Sequence, residues 1–155
     1  MDKLGIRDVT WGDLEEISKL DLMDDDKMEL QGLGVTELSI ELVSSCIASF
    51  GQVCKCYYEL ESKEIIGVYG ISKFNTIWFL SSKRLMEHKK EFARRTKKEF
   101  NEFTKGYNNV FNFVHPRHKR ANRWLQWLGL RREEMKFLMP PHNVEYYKYT
   151  LYKED

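Results

Sequence analysis

The chain has 155 residues, of which 42% are hydrophobic and 32% charged, and its formal net charge is +1. That length suits one domain, residues 1–155, and the apolar content is typical of a globular protein rather than a disordered one. The longest apolar stretch, residues 35–50, contains Glu37 and Glu41, which argues against a membrane span.

The charge is divided unevenly along the sequence. Residues 1–80 contain 15 Asp/Glu against 7 Lys/Arg, a balance of −8, whereas residues 81–155 contain 9 against 18, a balance of +9. A basic half indicates a phosphate-bearing ligand, nucleic acid or an acidic protein surface; the alternative is a solvated helix face with charge balance inside one fold. If the basic residues form one anion site, they should gather at the amino ends of two helices, in a set comprising Lys83, Arg84, Arg117, His118 and Lys119.

The first third of the sequence predicts a strand followed by two helices. Residues 4–9 have the pattern of an edge strand, and Thr10 is a suitable N-cap for a short amphipathic helix over residues 11–20. Residues 22–34 are acidic, contain two glycines and have no clear period, which predicts a loop with room for a single helical turn. A second amphipathic helix is expected over residues 37–50.

A β-hairpin is expected next, with strands over residues 53–60 and 65–72 and a turn at residues 61–64. Gly67 and Gly70 lie inside the second strand, where glycine often marks a bulge or a close approach by a ligand.

The three cysteines are Cys46, Cys54 and Cys56, and their odd number favours free thiols in a reducing compartment. Cys54 and Cys56 are two apart, so on a strand they share one face. Since no second Cys/His pair lies at ligand spacing, we interpret them as small core residues rather than a metal pair, and no metal is expected.

The central pattern is a strand, a long helix and a second strand. Residues 76–80 are rich in β-branched and aromatic side chains, and Ser81 or Ser82 can cap the helical pattern that follows over residues 83–105. The second strand is expected at residues 109–114. Such a βαβ crossover makes the two strands parallel, and ligands favour the carboxyl ends of such strands, with anions at the helix N-terminus.

The remaining sequence predicts a helix over residues 117–129 and a hairpin with strands at residues 133–138 and 144–151. The expected fold class is therefore α/β (α+β), with a mixed sheet flanked by helices and a central parallel βαβ unit.

The element order β-α-α-β-β-β-α-β-α-β-β resembles that of the GNAT superfamily of acyl-CoA-dependent N-acyltransferases over nearly the whole chain. Residues 6–14 are similar to the family's first strand and its turn into a helix. A motif frequent in the family is Asn-x-x-Ala-x-x-x-Tyr-x-x-Leu-Gly-Phe, in which x is any residue. Ala121 and residues 128–130 keep this spacing, whereas His118 stands at the asparagine position and Leu125 at the tyrosine position. The resemblance implies acetyl-CoA as cofactor and an amine as acceptor.

A narrower resemblance is to a GNAT-like family of short-tailed phages that includes an internal virion protein. It rests on residues 78–82 (Trp-Phe-Leu-Ser-Ser), the basic helix after them, the aromatic strand ending at Val114 and the pair Leu128-Gly129. It implies a cytoplasmic location, in the host or in the virion, and a phage or host protein as partner.

The CoA-binding loop departs from the family pattern, which is Gln/Arg-x-x-Gly-x-Gly/Ala and presents bare backbone N–H groups to the pyrophosphate. Arg84 matches the first position, but Glu87 and Lys89 occupy the glycine positions. We therefore expect weak acetyl-CoA binding, with basic side chains pairing directly with the phosphates. The cofactor-binding candidates are Ser81, Ser82, Arg84, His88, Lys89, Arg117 and His118.

The catalytic inventory is small. His115, at the carboxyl end of its strand, is the best candidate for a general base, and the alternative is a histidine that orders the turn into Pro116. Leu125 cannot donate a proton to the leaving thiolate as the family's tyrosine does. Two functions follow. One is a phage-type N-acetyltransferase acting on an amine by direct attack in a ternary complex. The other is a catalytically silent GNAT-like phage protein that binds a virion protein, a host protein or, through the basic helix, nucleic acid.

Overall fold

The computed structural model describes residues 2–32, 53–71 and 75–152. Their strands are β1 Leu4–Asp8, β2 Val53–Glu59, β3 Ile65–Ile71, β4 Ile77–Ser81, β5 Asn109–Val114, β6 Arg131–Met139 and β7 Val144–Tyr152. Their helices are α1 Leu14–Ser18, α2 Asp24–Gly32, α3 Lys89–Phe103 and α4 Lys119–Trp127, with 3-10 segments at Trp11–Asp13 and Lys83–His88. This mixed α+β fold confirms the predicted class.

The strands form two antiparallel sheets that meet at β4 and β5. The strand orders are β1-β2-β3-β4 and β5-β7-β6. β4 and β5 run parallel, but one bridge joins them, between Thr76 and Phe111, beside a 3.1 Å hydrogen bond from the Phe111 N–H to the Asn75 carbonyl. The predicted parallel neighbours are confirmed. Because they are bridged only near their amino ends, they open a gap toward their carboxyl ends.

Helices α3 and α4 pack over this gap. Phe100 of α3 and Leu125 of α4 are buried in one cluster with Val110, Val114 and Tyr149 of the second sheet. On β4, the ring of Phe79 lies 5.3 Å from that of Phe92 in α3 and 5.6 Å from that of Trp124 in α4. These aromatic contacts hold both helices on the same face of the gap.

The prediction of a loop over residues 22–34 is wrong, because Asp24–Gly32 forms helix α2. Three aspartates occupy its first turn, where carboxylates interact favourably with the helix dipole. The side chain of Asp26 is buried and accepts hydrogen bonds from Ser81 and His118. The helix is therefore held by contacts distant in sequence, which a search for local periodicity does not detect.

The helix predicted over residues 11–20 is shorter than expected. A 3-10 segment occupies Trp11–Asp13, α1 begins at Leu14, and Trp11 is 65% exposed instead of facing the core. Leu14 and Ile17 are buried as predicted. The helix predicted over residues 37–50, including Cys46, lies outside the described residues.

The segment after β4 also differs from its prediction. The hydroxyl of Ser82 accepts a 3.1 Å hydrogen bond from the Arg84 N–H and caps the segment, as predicted, but Lys83–His88 is a 3-10 helix and α3 begins at Lys89. The C-terminal hairpin is confirmed, since β6 and β7 pair antiparallel. Within the part of the chain described here, no helix is both long enough and apolar enough to cross a membrane.

Candidate functional site

A cavity of about 580 Å³ lies between α3 and α4, beside the opening between β4 and β5. Its walls are mostly apolar and include Phe79, Leu85, Phe92, Trp124, Leu125 and Trp127. A large apolar cleft with a small number of polar groups is the usual form of a small-molecule site. We therefore take this cavity as the candidate functional site.

Four cationic side chains from two helices line the cavity. Lys89 and Lys90 come from the first turn of α3, and Arg120 and Arg123 come from α4. Among the described residues, Lys89, Lys90 and Arg123 form no ion pair. The helices thus present three uncompensated charges to one cavity, which favours an anionic ligand.

Asp26 is the one carboxylate among the described residues that line the cavity. Its Oδ2 accepts hydrogen bonds of 3.1 Å from both the backbone N–H and the hydroxyl of Ser81. Its Oδ1 lies 3.0 Å from Nε2 of His118, and both side chains are almost fully buried. Since the Ala121 N–H donates to Nδ1 of His118 at 3.2 Å, the ring proton resides on Nε2 and is donated to Asp26.

A second polar cluster fixes the 3-10 segment after β4. Arg84 Nε donates a 2.7 Å hydrogen bond to Oε1 of Glu59, and His88 Nε2 donates a 2.8 Å bond to Oε2. Burial raises the pKa of Glu59, but hydrogen bonds from His88, Ser62 and Arg84 outweigh it and hold that pKa below its ordinary value. This carboxylate therefore remains ionised and retains Arg84 at the end of β2.

Of the anion site predicted from Lys83, Arg84, Arg117, His118 and Lys119, His118 lines the cavity and the other four residues do not. Lys83 lies 3.8 Å from both Asp21 and Asp24, and Arg84 is bound to Glu59. The acidic first half of the chain thus neutralises cations of the basic second half. The cavity's unpaired cations instead lie in the first turn of α3, at Lys89 and Lys90, and on α4, at Arg123.

The cofactor-binding candidates divide into two groups. Ser81, Lys89 and His118 line the cavity, whereas Ser82, Arg84, His88 and Arg117 do not. Ser81 and His118 line the cavity beside Asp26, and both are hydrogen-bonded to its carboxylate. Among the described residues, Glu59, Glu87 and His88 lie close enough together to hold a metal ion. The guanidinium of Arg84 already pairs with Glu59, so this carboxylate is neutralised without a metal.

His115, the candidate base, lies at the turn after β5 and does not line the cavity. Its Nδ1 accepts a 3.1 Å hydrogen bond from the Arg117 N–H, and its ring packs edge-on against Tyr146 at 5.5 Å. Burial, with the neighbouring charges of Arg117 and His118, lowers the pKa of His115. These contacts favour the alternative considered from sequence, a histidine that orders the turn into Pro116.

Several cavity residues were not among the site candidates identified from the sequence, namely Asp26, Asn112, Arg120 and Arg123, whereas Lys90 was predicted as a phosphate-binding residue of the basic helix. Arg120, Arg123, Trp124 and Trp127 recur at helical spacing in α4, and this pattern is a signal that could have found them. Asp26 gave no such signal, because its helix has no apolar period.

The sequence matches no protein-family model and no curated protein. Its structure is similar to solved acetyltransferases over almost its full length. A GNAT-family acetyltransferase from Bacillus anthracis is 17% identical, with 99% of this chain and 97% of that chain covered and a TM-score of 0.68. An N-acetyltransferase from Staphylococcus aureus is 12% identical, with 97% of this chain and 99% of that chain covered and a TM-score of 0.68.

A third neighbour is the spermidine N-acetyltransferase from Vibrio cholerae in complex with CoA and spermine. It is 13% identical, with 97% of this chain and 95% of that chain covered and a TM-score of 0.66. At these identities the likeness establishes the fold, and the fold of this chain is that of the GNAT acetyltransferases.

Proposed function

We propose that this protein is an N-acetyltransferase that transfers the acetyl group of acetyl-CoA to an amine. The observation that supports it best is the cavity beside the splayed strands β4 and β5, which combines apolar walls with three unpaired cations. In a structural neighbour of the same fold, a bound CoA and a bound spermine accompany N-acetyltransferase activity. A location in the cytoplasm is part of this proposal.

The donor would be held mainly by side chains. Glu87 replaces a loop glycine, and Arg84 is bound to Glu59. The loop therefore provides few hydrogen-bond donors and little positive charge for the phosphates. Lys89, Lys90 and Arg123 supply charge-assisted hydrogen bonds to phosphate oxygens instead. The apolar wall around Phe79, Leu85 and Trp124 suits the pantetheine arm. Long lysine side chains lose conformational entropy on binding, which is consistent with the weak affinity expected from the sequence.

The proposed reaction is direct attack in a ternary complex. The amine nitrogen attacks the thioester carbonyl carbon, a C–N bond forms, and the C–S bond breaks to release CoA thiolate. An ammonium substrate loses two protons on becoming an amide, of which one ends on the thiolate and one reaches solvent. Leu125 offers no proton to the thiolate, so we assign stabilisation of that anion to the cationic lining of the cavity.

A second candidate function is a catalytically silent GNAT-like phage protein that binds a virion protein, a host protein or nucleic acid. Two observations favour it: Leu125 is fully buried at the position of the family's tyrosine, and the 3-10 segment that replaces the glycine loop is fixed to Glu59. In that case the exposed basic side chains of α3, including Lys97 and Lys98, would bind the partner.

Calorimetric titration with acetyl-CoA separates the two functions. The acetyltransferase requires saturable binding and release of free thiol when an aliphatic amine, an arylamine or a peptide N-terminus is added. We expect a dissociation constant in the micromolar range or weaker, on the order of −8 kcal/mol or less favourable. Absence of both binding and thiol release, together with retention on heparin or on a protein partner, would establish the silent function instead.

A further inference from the structure

We infer that Asp26 selects the acceptor, and that the acceptor is an aliphatic amine bound as its ammonium ion. This inference rests on the proposed function and adds the chemical class of the second substrate. It starts from the position of Asp26, which is the only carboxylate among the described residues lining the cavity.

The hydrogen bonding of Asp26 leaves room for one more donor. A carboxylate has about four acceptor positions. The N–H and hydroxyl of Ser81 occupy two on Oδ2, and Nε2 of His118 occupies one on Oδ1. Oδ1 therefore retains an acceptor position on a side chain that lines the cavity. The nearest guanidinium nitrogen of Arg120 is 3.9 Å from Oδ1, beyond hydrogen-bond distance.

Asp26 is also held rigidly. It belongs to α2, while its partners belong to β4 and to the N-cap of α4, so three elements fix the carboxylate. An ammonium ion bound to a pre-oriented, buried carboxylate gains more than one bound at the surface, because little solvent screening remains and no side chain must be ordered. A neutral amine or a hydroxyl gains much less at the same position.

The charges around Asp26 suggest an order of binding. His118 and Arg120 face Asp26 from α4, Asp25 is its neighbour on α2, and Lys89 and Lys90 line the same cavity from α3. These lysines repel a cationic acceptor while they are uncompensated. The phosphates of the donor neutralise them, so the amine binds favourably after the donor.

The experiment compares Asp26→Asn, Asp26→Glu and the matched control Asp24→Asn. Asp24 is in the same first turn of α2 and carries the same charge, but it is 89% exposed and does not line the cavity. For each variant, KM for the best aliphatic amine, kcat and the calorimetric Kd for CoA are measured, and folding is checked by circular dichroism. Spermine and free lysine are the first probes.

We expect Asp26→Asn to raise KM for the amine by about 10- to 100-fold, with the Kd for CoA changed less than about threefold. Asp26→Glu should recover part of the KM because it restores the charge, and Asp24→Asn should match the wild type. If Asp26 had only a structural role, Asp26→Glu would recover none of the KM. The added methylene would disturb the bonds to Ser81 and His118, and the restored charge would bring no compensating gain.

Three results would overturn the inference. If Asp26→Asn has the wild-type KM for the amine, the carboxylate does not bind the acceptor. The same conclusion follows if KM is no lower for Asp26→Glu than for Asp26→Asn. Acetylation restricted to arylamines or other neutral acceptors refutes the ammonium class while leaving the proposed function intact. A wild-type protein that transfers acetyl groups to no amine overturns the proposed function itself, and this inference with it.

Discussion

The guanidinium of Arg84 is bound to the carboxylate of Glu59, with 2.7 Å between Nε and Oε1. The pair joins the segment after β4 to the end of β2, and His88 adds a second bond to the same carboxylate at 2.8 Å. The arginine that matches the family's CoA loop is therefore part of a structural ion pair. Because Arg84 is held by Glu59 and does not line the cavity, the unpaired cations that do line it belong to α3 and α4.

Glu59→Gln is expected to destabilise the fold by about 1–3 kcal/mol near neutral pH, because Arg84 and His88 lose a charged acceptor. The pKa of Glu59 is lower in the folded state than its ordinary value of 4.5. Its stabilising contribution is therefore complete above that ordinary value and is lost as the pH falls through the lower folded pKa.

Urea denaturation of wild type and Glu59→Gln at several pH values checks this prediction. The difference in the free energy of unfolding should shrink as the pH is lowered below 4.5. Glu61→Gln, in the exposed turn of the same hairpin, is the control and should change little. A difference between wild type and Glu59→Gln that is constant with pH would contradict the assignment of Glu59 as the charged acceptor.

Lys90→Ala and Arg123→Ala are each expected to weaken CoA binding by about 10- to 100-fold. Each variant removes one unpaired cation from the cavity wall, and a charge-assisted hydrogen bond contributes about 1.5–3 kcal/mol. Calorimetry at two ionic strengths measures both the loss of affinity and the expected weakening by salt. Lys98→Ala on the same helix, outside the cavity, should bind as the wild type does. Equal losses for all three variants would indicate non-specific attraction rather than a phosphate site.

Leu125→Ala is expected to lower the free energy of unfolding by about 2–5 kcal/mol, since Leu125 is fully buried among Val110, Val114 and Tyr149. Leu138→Ala makes the same chemical change at a side chain that is 63% exposed, and it should cost less than about 0.5 kcal/mol. Chemical denaturation measures both. Similar effects at the two positions would contradict the assignment of Leu125 to the core.

Cys54 and Cys56 are expected to resist alkylation in the native protein. Burial raises the pKa of Cys54 to about 12 and that of Cys56 to about 11, so little of either thiol is ionised at mildly alkaline pH. Peptide mapping by mass spectrometry after brief iodoacetamide treatment, with and without urea, checks this expectation. Rapid labelling of either residue without urea would show that the face of β2 bearing them is open to solvent.

The sequence by itself determined the elements that depend on neighbouring residues. The step from β4 through Ser82 into a helical segment was predictable because a capping hydroxyl and the backbone N–H groups it satisfies are two residues apart. The hairpins β2–β3 and β6–β7 were predictable for the same reason, since a short turn brings adjacent strands together. The fold class and the parallel relation of β4 and β5 followed from the order of these elements.

Only the tertiary structure decided which charged side chains meet in the cavity. Asp26 meets Ser81 across 55 residues and His118 across 92, and these contacts stabilise a helix whose own sequence has no apolar period. Lys90 and Arg123 likewise belong to different helices and converge because both helices pack over the gap between two sheets. A charge interacts through space with whatever packing places beside it, so its partners depend on the complete fold rather than on local spacing.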